Sequence, residues 1–137
     1  MTIIVDSDGL IGMLFKDDAH FLSAQVIIQK LSKRETIFIY PATVITESTT
    51  ILKIRIKKPE LADQIAKLLL SGQLVIEPVD EELLKKAVNL LAGKKGSEHN
   101  TLFDAVVAAV AEEHKADAIF SFDKFYKTKG FKLASEL

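Results

Sequence analysis

The sequence predicts an α/β fold: a mostly parallel sheet of four or five strands covered by helices on both faces. Three observations carry this. Short runs of β-branched and aromatic residues, most of them followed by Asp or Pro, recur along the 137 residues. Segments with helical periodicity separate those runs. No internal repeat, low-complexity stretch or linker interrupts the alternation, so one domain over residues 1–137 fits the length.

The elements follow in order. Thr2-Ile3-Ile4-Val5, closed by Asp6, reads as a strand buried on both faces. Asp17 and Asp18 precede a helix from Ala19 to Ser32, with Phe21, Leu22, Val26, Ile27 or Ile28, and Leu31 at helical spacing. Thr36 to Tyr40 is a second strand, stopped by Pro41, which also suits the first turn of a helix. From Ala42 to Lys58 the many β-branched residues weakly oppose helix. A strand of that length is nevertheless unusual, and Val44, Glu47, Ser48, Ile51 and Arg55 share helical rows, so the segment reads as helix. Pro59 opens a helix to Leu70 that Ser71-Gly72 ends, and Leu74-Val75-Ile76 is a third strand. Asp80 caps a helix to Leu91, closed by Gly93. Residues 93–100 form a polar loop, the one segment expected to be mobile. Asn100 then caps a helix from Thr101 to His114, with Phe103, Val106, Val107 and Val110 expected inward. Ala118 to Ser121 is a fourth strand, and Phe131-Lys132-Leu133 a short fifth.

Composition narrows the function. Hydrophobic residues make up 48% and charged residues of both signs 27%, which opposes disorder. No apolar run approaches the roughly 20 residues of a membrane helix. The first apolar stretch has no basic residue before it, which argues against a signal peptide. The absence of cysteine excludes disulfides, thiol nucleophiles and thiolate zinc sites, and suits a reducing, cytoplasmic setting. A net charge of −1 does not advertise a nucleic-acid binder, so any such binding needs a local patch or bound cations.

In parallel α/β folds, ligands gather beyond the carboxyl ends of the strands. Four acids fall there: Asp6 after the first strand, Glu47 after the second, Asp104 in the first turn of the helix after the polar loop, and Asp123 after the fourth strand. Each alone has a plain use, as a helix cap, a dipole partner, a surface residue or a turn former. Asp104, however, sits among Ala105, Ala108 and Ala111, on a face where a lone charge is costly unless it is paired or ligates a cation. Clustered carboxylates repel, and divalent cations relieve that repulsion. Oxygen-only ligands favour magnesium or manganese over zinc. Such a site suits metal-assisted hydrolysis of a phosphodiester.

Four segments carry a resemblance: Ile3-Ile4-Val5-Asp6-Ser7, Pro41-Ala42-Thr43-Val44-Ile45-Thr46-Glu47, Asp104 to Ala111, and Ile119-Phe120-Ser121-Phe122-Asp123-Lys124-Phe125. In their order and spacing the chain resembles the PIN-domain ribonucleases, and more narrowly the VapC-like toxins of toxin–antitoxin pairs. The resemblance implies a three-layer α/β/α sandwich and a Mg2+- or Mn2+-dependent endoribonuclease. It places Asp6, Glu47, Asp104 and Asp123 in the acidic site, with Ser121 supporting. It also implies a homodimer and a small antitoxin protein as partner. Asp8 departs from the family's usual Asp-Thr-Ser, with capping of the Gly9–Phe15 segment as one use. Ala108 and Ala109 stand where a further acid is often found.

Lys53, Arg55, Lys57 and Lys58 form the densest basic cluster, either a solvated helix end or a contact for RNA phosphates. Lys94, Lys95, Lys124, Lys127 and Lys129 are similar candidates. Phe125 and Tyr126 are candidates for base stacking or for the core. His20, His99 and His114 lack paired metal spacing and read as structural or surface residues, His99 being the nearest to the groove. Three alternatives stand beside the nuclease: a PIN-like RNA- or protein-binding module with little catalysis, a receiver-type phosphoacceptor domain, and a haloacid-dehalogenase-type phosphatase suggested by Val5-Asp6-Ser7-Asp8-Gly9.

Overall fold

The structure, a computed structural model, describes residues 1–92 and 100–137. Strands β1 (Thr2–Val5), β2 (Ile37–Pro41), β3 (Val75–Glu77) and β4 (Ala118–Phe120) form one parallel sheet in the order β3-β2-β1-β4. Helices α1 (Ser7–Leu14) and α2 (Phe21–Leu31) join β1 to β2, and α3 (Ala42–Thr50) and α4 (Pro59–Leu70) join β2 to β3. The chain then reverses through α5 (Glu81–Leu91) and α6 (Leu102–Glu113) to place β4 on the far side of β1. Right-handed crossovers therefore put α1–α4 on one face and α5 and α6 on the other. The result is the expected three-layer α/β/α sandwich.

The central strand shows why the run Ile3-Ile4-Val5 is uniformly apolar: all three are fully buried between the helix layers. Helix α6 is nearly as enclosed, with every residue from Ala105 to Ala111 buried. Its alanines let it lie close to the sheet and to α5. Phe103 is 44% exposed rather than inward, because it precedes that enclosed stretch. In α2 the buried row is Ala24, Ile27 and Leu31, whereas Leu22 and Val26 face solvent. The small Ala24 sets that row: it faces Gly12 of α1, where an added Cβ would lie 3.5 Å from the Ala24 Cβ.

Three other expectations change. The helix from Ala42 does not run uniformly to Lys58: after Thr50 it widens into a π-turn over Ile51–Arg55, with the Ile56 N–H donating to Ile51 O at 2.9 Å. The preceding threonines bond back to their own helix (Thr49 Oγ1 to Ile45 O, 2.9 Å; Thr50 Oγ1 to Thr46 O, 2.8 Å), a pattern that loosens and bends helices. The chain leaves through Lys57, a lysine at φ 61°. The expected fifth strand is a single bridge between Ile119 and Leu133, because the Glu136 carboxylate accepts from the Leu133 N–H and turns the chain into a 3₁₀ segment at Ala134–Glu136. Thr101, not Asn100, stands at the N-cap of α6. Gly93, Lys94, Lys95, His99 and the polar loop lie outside the described residues.

Candidate functional site

The order in which strands are added reverses between the parallel β1 and β4, which makes their carboxyl ends the switch point where ligands gather in such folds. Asp6 occupies that point. Its N–H donates to Phe120 O at 3.1 Å, and its side chain, 3% exposed, caps α1 by accepting from the Ser7 N–H at 2.7 Å. Asp6 is thus both the cap of α1 and a buried carboxylate. Gly9 is required here, since a Cβ on it would fall 2.2 Å from Phe120 O. Without a side chain at Gly9, α1 lies directly on the end of β4.

Asp8 does not cap the segment after it. Its Oδ2 accepts from the Phe122 N–H at 2.8 Å and lies 3.1 Å from Ser121 Oγ, which clasps α1 to the turn after β4. Its Oδ1 is buried with no hydrogen-bond partner. Ser121 is itself buried. Its hydroxyl also lies 3.3 Å from Asp6 Oδ2 and accepts from the Asp123 N–H at 3.1 Å.

Asp123 sits in that same turn. Its Oδ1 accepts from the Phe125 N–H at 2.8 Å, opening α7 (Phe125–Thr128). Asp104 reaches back to the start of α6, where its Oδ2 accepts from the Thr101 N–H at 2.9 Å. Asn100 joins the two: its amide donates to Asp104 Oδ2 and to Asp123 Oδ2, each at 3.1 Å. Glu47, on α3, lies within electrostatic reach of both Asp104 and Asp8. The four predicted acids and Asp8 therefore meet at one edge of the sheet.

Besides Asp8, two contributors escaped the sequence. Tyr126, fully buried on α7, donates its hydroxyl to Asp6 Oδ2 at 2.6 Å. It stacks on no base and packs edge-on to Phe125 at 5.3 Å. Asn100 was legible only as a cap. An acid at a buried strand end needs donors, and a tyrosine closely following Asp123 was the available signal for one.

The electrostatics follow from this crowding. Burial, and then the neighbouring Asp8 charge, push the Asp6 carboxyl up from 3.8 to about 8, against the hydrogen bonds from Tyr126 and Ser7. Burial also raises Asp8. It raises Glu47 too, with Asp104 and Asp8 adding to the rise and the Ser7 hydroxyl and Arg55 opposing it. Burial, followed by the Asp6 charge, raises the Tyr126 phenol. Among the described residues, no Lys, Arg or His forms an ion pair with any of these five acids.

The donor set is all oxygen, one buried oxygen lacks a partner, and like charges oppose ionisation: this is chemistry that a hard divalent cation satisfies. Among the described residues, no three of the acids converge into a finished cage. Asn100, Ser121 and Tyr126 hold donors between them.

The basic cluster lies at the π-turn and beyond, with Lys53, Arg55, Lys57 and Lys58 all exposed. Lys127 pairs with Glu136 at 3.0 Å, and Lys129 lies 5.7 Å from the Phe125 ring centre. His20 stacks on Phe122 at 4.1 Å, and His114 lies 3.1 Å from Glu77. The strand order differs from the receiver type, and Asp80, the acid nearest a receiver's phosphoacceptor position, caps α5 through the Leu83 N–H at 2.9 Å. The chain is therefore not a receiver-type phosphoacceptor domain. None of the described helices is long and apolar enough to cross a membrane.

A parallel α/β/α sandwich with a cluster of acids at its switch point, Asp6 buried and the others half-buried, defines the class. The chain belongs to the PIN domain family, which it matches over residues 3–132. Its fold is that of VapC20 from Mycobacterium tuberculosis, described as a sarcin-ricin loop cleaving toxin, with TM-score 0.81, 21% identity, and coverage of 94% of this chain and 95% of that one. It is similar to a chain of the Rickettsia felis VapBC2 complex bound to a promoter DNA fragment (TM-score 0.65, 15% identity, 97% of each chain). It is likewise similar to a chain of FitAcB from Neisseria gonorrhoeae (TM-score 0.65, 15% identity, 98% and 94%). Comparison with curated protein sequences finds no match.

Proposed function

We propose that this protein is a Mg2+- or Mn2+-dependent endoribonuclease and the toxin of a toxin–antitoxin pair. The observation that carries the reading is the meeting of Asp6, Glu47, Asp104 and Asp123, with Asp8, at the β1–β4 switch point, none of them in an ion pair among the described residues. Asp6, Glu47, Asp104 and Asp123 would hold the cation, and Ser121 supports them through its contacts to Asp6 and to the Asp123 N–H. When bound, a divalent cation supplies Lewis-acid stabilisation of the phosphodiester and an ionised water near neutral pH.

The remaining work belongs to the chain. Asn100 keeps Asp104 and Asp123 together. Asp8 ties α1 to the turn bearing Asp123, which fixes the spacing between Asp6 and Asp123. The π-turn contributes as well. A helix of 100° per residue would leave Arg55 about 80° round from Glu47, but the wider turn, about 80° per residue, returns it to within roughly 10° of the Glu47 row. The Arg55 charge opposes the rise in the Glu47 pKa, consistent with that approach. Arg55, with Lys53, Lys57 and Lys58 close by, would meet RNA phosphates entering a pocket that is itself negative.

The neighbours named VapBC2 and FitAcB support an antitoxin protein as partner. Exposed Leu84, Val88, Leu102 and Phe103 offer apolar area for an antitoxin or for the second subunit of a homodimer. That all the acids are present argues against a catalytically weak binding module. Membership of the PIN domain family over residues 3–132 argues against the phosphatase reading.

The test is cleavage of an RNA panel by purified protein with Mg2+, Mn2+ or EDTA. Cleavage that needs the cation, and that falls by at least 100-fold in Asp104→Asn, is the expected result. RNA left intact throughout the panel, or full activity in Asp104→Asn, overturns the proposal.

A further inference from the structure

We infer that Tyr126 is a positioning residue whose hydroxyl fixes the Asp6 carboxylate in the orientation required for cation binding. The inference rests on the reading of the pocket given above and adds a residue that neither the motifs nor the family match assigns.

The packing of Tyr126 does not need its hydroxyl. The ring is fully buried and meets Phe125 edge-on, which phenylalanine would do equally well. A buried hydroxyl is retained at a cost unless it is bonded. Here its bond is to Asp6 Oδ2, at 2.6 Å the shortest of the contacts to that carboxylate. Asp6 Oδ1 is held from the other side by the Ser7 N–H at 2.7 Å. Donors from α1 and α7 thus take one lone pair on each oxygen and remove the free rotation of the carboxylate. Oδ1 keeps its second lone pair, while at Oδ2 the second faces the more distant Ser121 hydroxyl at 3.3 Å, which Asp8 Oδ2 shares at 3.1 Å.

The position of α7 gives the bond a second consequence. The Phe125 N–H in the first turn of α7 holds Asp123 at 2.8 Å, and the next residue holds Asp6. One short helix therefore sets two of the acids relative to each other. Removing a hydrogen-bond partner that orients a metal ligand typically weakens metal affinity by about 10- to 100-fold.

The experiment is Mn2+ binding to the full chain, read from the electron paramagnetic resonance signal of free Mn2+, in wild type, Tyr126→Phe, Phe125→Leu and Asp104→Asn. Tyr126→Phe is expected to keep its circular dichroism spectrum and to bind Mn2+ about 10- to 100-fold more weakly. Phe125→Leu perturbs packing without touching the bond, and is expected to stay within about threefold of wild type. Affinity within twofold of wild type in Tyr126→Phe, alongside lost binding in Asp104→Asn, overturns the positioning role and leaves the pocket standing. No Mn2+ binding by wild type overturns both. Should Tyr126→Phe fail to fold, the chain's two tyrosines and lack of tryptophan offer a second measurement. In Tyr40→Phe the remaining tyrosine is Tyr126, and Mn2+ must perturb its near-ultraviolet spectrum; an unperturbed spectrum overturns the inference.

Discussion

Replacing Asp6 with asparagine should change how stability depends on pH, and the sign follows from burial. In the folded chain the carboxyl stays protonated up to about pH 8, against 3.8 for an unperturbed aspartate. Between those limits the folded state binds the extra proton, so stability is fully present below the lower value and is lost as pH rises through the upper one. A difference of about four units corresponds to a ceiling of about 6 kcal/mol. Asp8 shares the electrostatic load and water relaxes part of it, so about 2–3 kcal/mol is the expected total change across the window. Asparagine preserves the bonding: its oxygen accepts from the Ser7 N–H, and its amide faces the Tyr126 and Ser121 hydroxyls, which can also accept. Urea denaturation in EDTA at pH 5, 6.5 and 8 provides the assay. Asp6→Asn should exceed wild type by about 0.5–1 kcal/mol at pH 5, where little of the window has been crossed, and by about 2–3 kcal/mol at pH 8. Mn2+ should stabilise wild type increasingly as pH rises, because its ligands must be ionised. Parallel stability profiles for the two proteins would refute the argument that Asp6 is a desolvated carboxyl.

Other perturbations probe the scaffold and the substrate path. Gly9→Ala drives a methyl to 2.2 Å from a backbone carbonyl at the end of β4, and should destabilise by about 1–3 kcal/mol and abolish cleavage. Gly12→Ala, whose methyl would meet its nearest neighbours at 3.5 Å, should be neutral or mildly stabilising in the same thermal melt; equal losses from the two would contradict the close approach of α1 to β4. Lys53→Ala combined with Arg55→Ala should weaken RNA binding and reduce the slope of log affinity against log salt by about 1–2, measured by fluorescence anisotropy; an unchanged slope returns the cluster to the solvent-facing role.

How much of this was legible from the residues differs by element. β1 was legible in position, because three fully buried residues leave no polar alternation to misread. The four acids were legible by position alone, since each follows a strand or opens a helix at the same edge. Leu22 and Val26 misled because periodicity counts large residues, whereas α2 packs through Ala24. Thr46, Thr49 and Thr50 signalled a weak helix but not the π-turn, which depends on side-chain hydroxyls bonding back to carbonyls. Asp8 and Tyr126 were missed as site residues because their partners, Phe122 and Asp6, lie on the far side of the chain. Only closure of β4 against β1 brings them together.

Crystals grown with Mn2+, examined by anomalous diffraction at the manganese edge, put the pocket itself to the question. An anomalous peak bounded by carboxylate oxygens of Asp6, Asp104 and Asp123 is the result expected of this chain. A protein saturated with Mn2+ that shows no peak there, or binds the ion only elsewhere, would contradict it.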